Sequence, residues 1–346
     1  MNSITGKSLN SYTQNTAFAG YGEGITRTLR GINHRHTGEF VPPNKDHQGF
    51  VFFTRPQLNL SRGNLGNVRT FMELATDIPN SFERYIRCML DPRVAVKTPY
   101  GAAEKCDLIR NKNAFITVLT NRIKTLSGIP DIQTQSHVTK QGLMGEEWGA
   151  VDSAPNNLGS YTVSASFKDF YGNAIFKLMR YWVLYPAYVK INQMVKYPDY
   201  ILSNRLDYNT RIYRLKMDTQ CVKVTGIWCC GAAYPETVPS GNFYDFNKEA
   251  AYEDVEQDQS YSFKCFGSFS DEAILMDEFN KAGICFNSSM HPRVLAQGPS
   301  VSKLVKIPPQ YLNLFNNDGY PRINLFTREL EWYIEIETYQ ALVGGL

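Results

Sequence analysis

The chain lacks the signatures of most chemistries. Its 7 cysteines (Cys88, Cys106, Cys221, Cys229, Cys230, Cys265 and Cys285) are scattered, and no CxxC pair exists. That excludes the regular spacing of a small disulfide scaffold and fits reduced, mostly buried thiols made in a cytoplasm. Long apolar runs are also missing. The longest, residues 181–189, is interrupted by Pro186 and falls far short of the ~20 residues that cross a bilayer. The first fifteen residues have no basic stretch followed by an apolar block, so no secretory signal peptide is expected. Charge is sparse, with 20% of residues charged against 43% apolar, which excludes a disordered tail and a coiled-coil rod. There is no GxSxG, no HExxH, no thiol-protease text and no repeat of solenoid or propeller length.

What is present is aromatic surface. The 346 residues leave room for two or three domains, and they include 20 Phe, 21 Tyr and 4 Trp, a mix suited to strands and contact surfaces. The net charge of +3 hides an asymmetry. Residues 1–125 hold 17 Lys+Arg against 9 Asp+Glu, a balance of +8, while residues 216–290 hold 5 against 12, a balance of −7. Such blocks neutralise each other within one fold, or choose a neighbour in a head-to-tail assembly. The +8 block is too dilute for a nucleic-acid reader.

Residues 1–50 are rich in Gly, Asn, Ser and Thr and closed by Pro42 and Pro43, the composition of an extended arm or a loop ordered by partners. Residues 49–60 read as a short strand stopped by Pro56. A helical pattern over 68–91 is split by Pro79, and Phe115, Ile116, Leu119, Ile123 and Leu126 predict a helix over 108–126. A loop is expected from there to Ser160. Tyr161, Val163, Ala165 and Phe167 then alternate with Thr162, Ser164 and Ser166, the clearest strand in the chain. A helix over 169–185 follows, with Asp169 as its N-cap and Pro186 as its stop. Strands are expected at 210–217, 221–228 and 260–267, then a short helix ended by Gly283. Trp332, Ile334 and Ile336 alternate with Glu331, Tyr333, Glu335 and Glu337, as in an edge strand with an acidic face. The class is α+β and β-rich. The order does not repeat as βαβ units would.

Residues that carry chemistry elsewhere form no constellation here. Gly6-Lys7-Ser8 lacks the upstream glycine and strand of a phosphate loop, and Gly20, Gly22 and Gly24 lack the dinucleotide spacing. His34, His36 and His47, with Glu39 and Asp46, have metal-ligand residue types, and His-x-His on a strand turns both rings to one face. The Gly/Asn/Thr-rich surroundings argue against a built site, and His137 and His291 are isolated. Glu146 and Glu147 are adjacent and diverge on any regular element. Cys229 and Cys230 would point to opposite faces of a strand, as two small buried residues. No catalytic, metal or cofactor residue is assigned, and no enzyme is expected.

One stretch carries a resemblance. The text NAFITVLTNRIKTLSGIPD from Asn113 is followed by SYTVSASFKDFYGNAIFKLMRYWV, by TRIYRLKMDTQCVKVTGIWCCGAAYPETVP and by SYSFKCFGSFSDE. In this order of strand, acidic turn, aromatic-faced helix, strand ending GIW, Pro-containing loop and last aromatic strand, the chain resembles the tube module of contractile bacteriophage tails. That module is shared by tail tube proteins and by the baseplate proteins that start the tube. Residues 222–228 with 233–239 match its penultimate strand and loop, and 261–269 its last strand.

The resemblance implies an antiparallel β-barrel or sandwich with a flanking helix at 109–272, between an N-terminal arm and extension (1–108) and a C-terminal extension (273–346). It implies a virion protein of the tail, assembled in the host cytoplasm. Such a protein forms or caps a ring of the tube or baseplate by strand pairing between subunits and by extended arms. Its partners would be itself, in a ring of six, and neighbouring tail or baseplate proteins, with passive contact to DNA in a lumen and none to a membrane. The acidic run Glu249, Glu253, Asp254, Glu256 and Asp258 is the sequence's candidate for a lumen surface. Two other readings are a soluble carbohydrate-binding module with exposed Tyr and Trp, and a metal-dependent hydrolase using His34, His36 and His47.

Overall fold

The computed structural model describes residues 49–96, 103–134, 136–151, 159–218, 220–245, 258–271, 273–312, 315 and 318–343. The histidines at 34, 36 and 47, the glycine motifs before residue 25, the arm over 1–48 and the acidic residues 249–256 lie outside them.

A six-stranded antiparallel sheet organises the molecule. It contains β1 (Gly49–Phe53), β2 (Ile123–Ser127), β5 (Ser160–Lys168), β6 (Ile212–Met217), β7 (Val224–Pro235) and β8 (Asp258–Ser270) in the order β1-β6-β7-β8-β5-β2. Its two edges are drawn toward each other by the segment before β2. Ile116 N–H donates to Phe53 C=O at 2.8 Å, and Arg55 N–H donates to Ala114 C=O at 2.9 Å. One helix, α2 (Thr117–Arg122), then leads directly into β2. The result is a nearly closed barrel. Between β2 and β5 a separate two-stranded hairpin, β3 (Ser136–Val138) and β4 (Gly149–Val151), is inserted. The C-terminal part is α4 (Ala273–Phe286), a three-stranded sheet β10-β11-β9 (β9 Leu304–Lys306, β10 Tyr320–Ile323, β11 Leu330–Glu335) and α5 (Ile336–Val343).

Period-two alternation gives the sheet two cores. Val163, Ala165 and Phe167 of β5 and Tyr261, Phe263 and Cys265 of β8 face α1 (Phe82–Leu90) and α3 (Ala174–Lys190), which contribute Ile86, Met89, Tyr181, Trp182 and Tyr185. On the other face, Phe52, Tyr213, Leu215, Ile227 and Cys229 pack on Phe279 of α4 and on Trp332 and Ile334 of β11. Fully burying each large apolar side chain contributes roughly 1.5–3 kcal/mol. Cys229 and Cys230 divide between the two cores as expected of neighbours on a strand. β1, which the sequence reading placed in the N-terminal extension, pairs along its whole length with β6.

Several local expectations change. Only 117–122 of the segment 108–126 is helical, and Ile123–Ser127 is a strand paired to β5. The same apolar spacing serves a short helix followed by a strand, and pairing to β5 overrides the helical reading. The expected loop beyond it contains β3 and β4. Pro186 lies inside α3, which continues to Lys190. The missing N–H removes one bond to the carbonyl of Trp182, while the burial of Tyr181, Trp182 and Tyr185 holds the helix together. Asp169 is not the formal N-cap, which is Asn173 at φ 53. Its carboxylate still accepts from Ile175 N–H at 3.3 Å and Phe176 N–H at 3.1 Å and so performs the cap from five residues upstream. Gly283 is interior to α4. β11 is the central strand of its sheet and not an edge, and Ile336 starts a helix. Its acids are partnered: Glu331 with Lys306 and Asn324, and Glu335 with Arg110 and Tyr320.

Candidate assembly surfaces

The β3–β4 hairpin projects with no covering element among the described residues. Its turn is fixed locally. Gly142 N–H donates to Glu146 C=O at 2.9 Å, and Met144 N–H donates to the Glu146 carboxylate at 2.8 Å. Gly145 takes φ +81, a left-handed value that glycine accepts readily. Thr139 and Trp148 exchange two bonds, Thr139 N–H to Trp148 C=O at 2.8 Å and Trp148 N–H to the Thr139 hydroxyl at 2.9 Å. On this frame Leu143 is 105% exposed, Met144 95% and Trp148 79%, with Val138 and Val151 more than half exposed. A hairpin this small has too little of its own core to be stable alone. A cluster of large apolar side chains in water marks a contact surface.

A second surface is the outer face of β5 and β8. Thr162, Ser164 and Ser166 stand opposite Lys264, Ser262 and Ser260, and the Ser164 and Ser260 hydroxyls are 2.9 Å apart. The face is exposed to half-buried and mostly small and hydroxylated, with Lys264 as its long cationic side chain. Asp258, the described member of the acidic run, starts β8 and is ion-paired to Lys124 of β2. Beyond that pair, the outward side of β2 makes no backbone hydrogen bond among the described residues.

The C-terminal sheet, by contrast, has side chains seated on both of its edges. Asn324 N–H pairs inward with Glu329 C=O, which turns Ile323 and Pro321 of β10 outward. Proline has no N–H to offer, and Ile323 is met by the side chain of Asn280 from α4. Asn280 donates to Ile323 C=O and accepts from Ile323 N–H, each at 2.8 Å. On β9, the outward Leu304 N–H donates to the Ser302 hydroxyl at 3.2 Å, and that hydroxyl lies 3.1 Å from Leu304 C=O.

The buried charges are structural hubs. Arg55 is 3% exposed, binds the carbonyls of Cys88, Met89, Asn111 and Asn113, and stacks on Phe286. Burial pulls its pKa down to about 10, against weaker opposing pulls from Cys88 and Asp91. Asp91 is fully buried and accepts from Leu60 N–H (2.8 Å), Arg93 N–H (3.1 Å) and Tyr197 OH (2.8 Å). Burial pushes its carboxyl up to about 6 in spite of those donors. Glu104 gathers Arg62, Arg84 and Arg87. Burial would raise its pKa, but the three guanidiniums outweigh it and hold the carboxyl below its ordinary value.

No cluster of metal-ligand residues occurs among the described residues. His137 is exposed on β3, His291 caps a one-turn helix through Arg293 N–H, and Glu146 and Glu147 sit at the exposed hairpin turn. The buried thiol of Cys88 is pushed up to about 12, far from nucleophilic range. Trp182, Trp228 and Trp332 are buried, which leaves Trp148 as the exposed tryptophan. Among the described residues no helix is long and apolar enough to cross a membrane. The sequence reading missed the hairpin. The available signal was the density of Val138, Leu143, Met144 and Trp148 in a stretch otherwise read as polar loop.

Compared with known proteins, residues 9–345 match the family described as "Putative phage tail tube protein". No curated protein matches. Among solved structures, the chain is similar to the tube-terminating cap of the anti-feeding prophage, with 15% identity over 43% of this chain and 78% of that one and a TM-score of 0.27. It is similar to the sheath/tube terminator of the extracellular contractile injection system PVC in its extended state (12% identity, 43% and 85% covered, TM-score 0.25). The third similarity is to the sheath-tube complex of the same system (13% identity, 51% and 95% covered, TM-score 0.25).

Proposed function

The chain belongs to the phage tail tube protein family, and from that premise we propose that it is a virion subunit that forms or caps a ring of the tail tube or baseplate, without turnover. The observation that carries this reading is the β3–β4 hairpin, whose Leu143, Met144 and Trp148 stand exposed, with no covering element among the described residues. In a ring of six, the hairpin reaches the next subunit or the next ring, and the outer edge of β2 supplies strand pairing. The hydroxylated face of β5 and β8 suits a lumen in which DNA slides without being gripped. On this reading residues 109–272 are the unit shared with tube subunits, 1–108 and 273–346 are specialising additions, and assembly takes place in the host cytoplasm with other tail or baseplate proteins.

The test replaces residues 132–151 by a short Gly-Ser linker and follows both proteins by light scattering over a concentration series and by negative-stain imaging. The parent chain is expected to form closed rings or stacked tubes, alone or on tail partners. The shortened chain should keep its unfolding midpoint and stay monomeric. Rings from the shortened chain, or a parent chain that ignores its tail partners, would refute the reading.

A further inference from the structure

At β1 the edge of the six-stranded sheet carries backbone groups with no backbone partner among the described residues, close to a cleft. Along β1, residues facing β6 alternate with residues facing away. Thr54 N–H donates to Arg211 C=O at 3.0 Å, which sets Phe52 and Phe50 toward β6 and turns Phe53 and Val51 outward. At Phe53 and Arg55 the outward groups are met by Ile116 and Ala114. The chain then leaves into α2 at Thr117. The outward N–H and C=O of Val51 have no backbone partner among the described residues, although Val51 is only 6% exposed. A buried strand edge of this kind calls for a partner strand. Adjoining this edge is a cleft of about 1260 Å³, lined by Phe50 and Phe52 of β1, Thr117 and Thr120 of α2, Trp332 of β11 and the segment 107–113.

We propose that this edge is the docking slot for an extended strand from residues 1–48 of a second copy of this chain. The inference rests on the self-assembling reading above and names where one contact is made. Three observations select the occupant. The 48 residues before Gly49 can span on the order of 160 Å when extended, enough to reach a neighbouring copy. They enter β1 at Gly49, the end opposite the Phe53–Ile116 closure, and so leave the sheet at the end of the edge that Ile116 and Ala114 do not cover. A tight return onto the chain's own β1 is chemically poor. A loop of two to five residues would set Pro42 or Pro43 beside the strand, and proline brings no N–H to a ladder. The arm itself contains Ile25-Thr26-Arg27-Thr28-Leu29-Arg30-Gly31-Ile32, rich in Ile, Thr and Leu and free of proline.

The test uses the full chain, diluted until light scattering shows single copies, and a fluorescent peptide of residues 1–48, with binding read by anisotropy. Saturable binding at one peptide per chain is expected, weakened at least tenfold by Val51→Pro. That substitution removes the outward N–H and leaves the bonds to β6 intact. Thr120→Trp, which fills the cleft from α2 and leaves β1 unchanged, should weaken binding similarly, and both variants are checked for an unaltered unfolding midpoint. In the full chain, a donor dye on the arm of one population and an acceptor beside the cleft of another should show energy transfer on mixing. An absent peptide signal, binding to either variant as tight as to the parent, or no energy transfer on mixing the two labelled populations would overturn the proposal. Rings formed without peptide binding would sink this inference and leave the ring reading standing. Arm exchange between copies that never form rings would do the reverse.

Discussion

Substituting Asn280 by alanine should destabilise the protein by about 2–5 kcal/mol, although the change places a better helix former in the middle of α4. The magnitude follows from what the amide holds. Asn280 meets both the N–H and the C=O of Ile323 at 2.8 Å, acting as one residue of a missing strand. Ile323 is 0% exposed and Asn280 6%, so water cannot replace the lost partners. Each buried backbone group left unpaired loses about 1–3 kcal/mol, and the gain in helix propensity returns at most about 0.7. Asn280→Asp separates the two bonds, because a carboxylate still accepts from Ile323 N–H but faces Ile323 C=O with a second acceptor. Urea unfolding followed by tryptophan fluorescence is the assay, with Trp332 on the neighbouring strand as the local reporter. Both variants should shift the midpoint downward at unchanged slope, with Asn280→Ala also more prone to associate through the opened β10 edge. A loss below about 1 kcal/mol in Asn280→Ala would refute the claim that this side chain seals the strand.

Two further outcomes follow from the same geometry. The carboxyl of Asp91 is held at about 6 in the folded chain against 3.8 as its ordinary value. The folded state therefore binds the proton more tightly, and this group adds stability as pH falls from 6 toward 4, by at most about 3 kcal/mol. Asp91→Asn should remove that increment, so the stability difference between variant and parent should change across the pH 4–6 window and be flat above 7. A parallel pair of curves would contradict it. Gly172→Ala should lose about 1–3 kcal/mol, because φ is +100 and the added methyl carbon would sit 2.8 Å from the Phe82 ring. Thermal melting of the purified variant checks this, and an unchanged Tm would show that the turn relaxes.

The sheet was legible where one face is buried and the other wet. At β5 the alternation of Tyr161, Val163, Ala165 and Phe167 with small polar residues reports both faces at once, and β8 repeats it against the same core. The readings failed where apolar spacing is shared by two conformations or where a partner distant in sequence decides. Leu119, Ile123 and Leu126 suit one helix, yet Leu126 stands opposite Ala165 in a ladder that local spacing cannot reveal. Pro186 would stop an isolated helix, but α3 is held before it by the buried rings of Tyr181, Trp182 and Tyr185 and beyond it by half-buried Tyr188 against Phe71. The acidic alternation of β11 resembles an edge until Lys306, Asn324 and Arg110 are brought to it by three other segments. The contact surface was the least legible, because an exposed apolar hairpin and a polar loop with a few apolar residues have the same composition.

The two sheets differ in how they treat their edges, and that difference bears on assembly. The C-terminal sheet sets Pro321 and Asn280 on the β10 edge and Ser302 against Leu304 on the β9 edge, so its own side chains occupy part of each edge. Among the described residues the larger sheet has no such device at β2, and its cover of β1 reaches Phe53 but not Val51. If strand addition were merely a hazard for this chain, the longer sheet would be the one that needed blocking. In the order β1-β6-β7-β8-β5-β2, with every neighbouring pair antiparallel, β1 and β2 run in opposite senses. Strand addition at these two edges, as proposed above, would present a different strand sense at each, and that asymmetry would give the assembling subunit a direction.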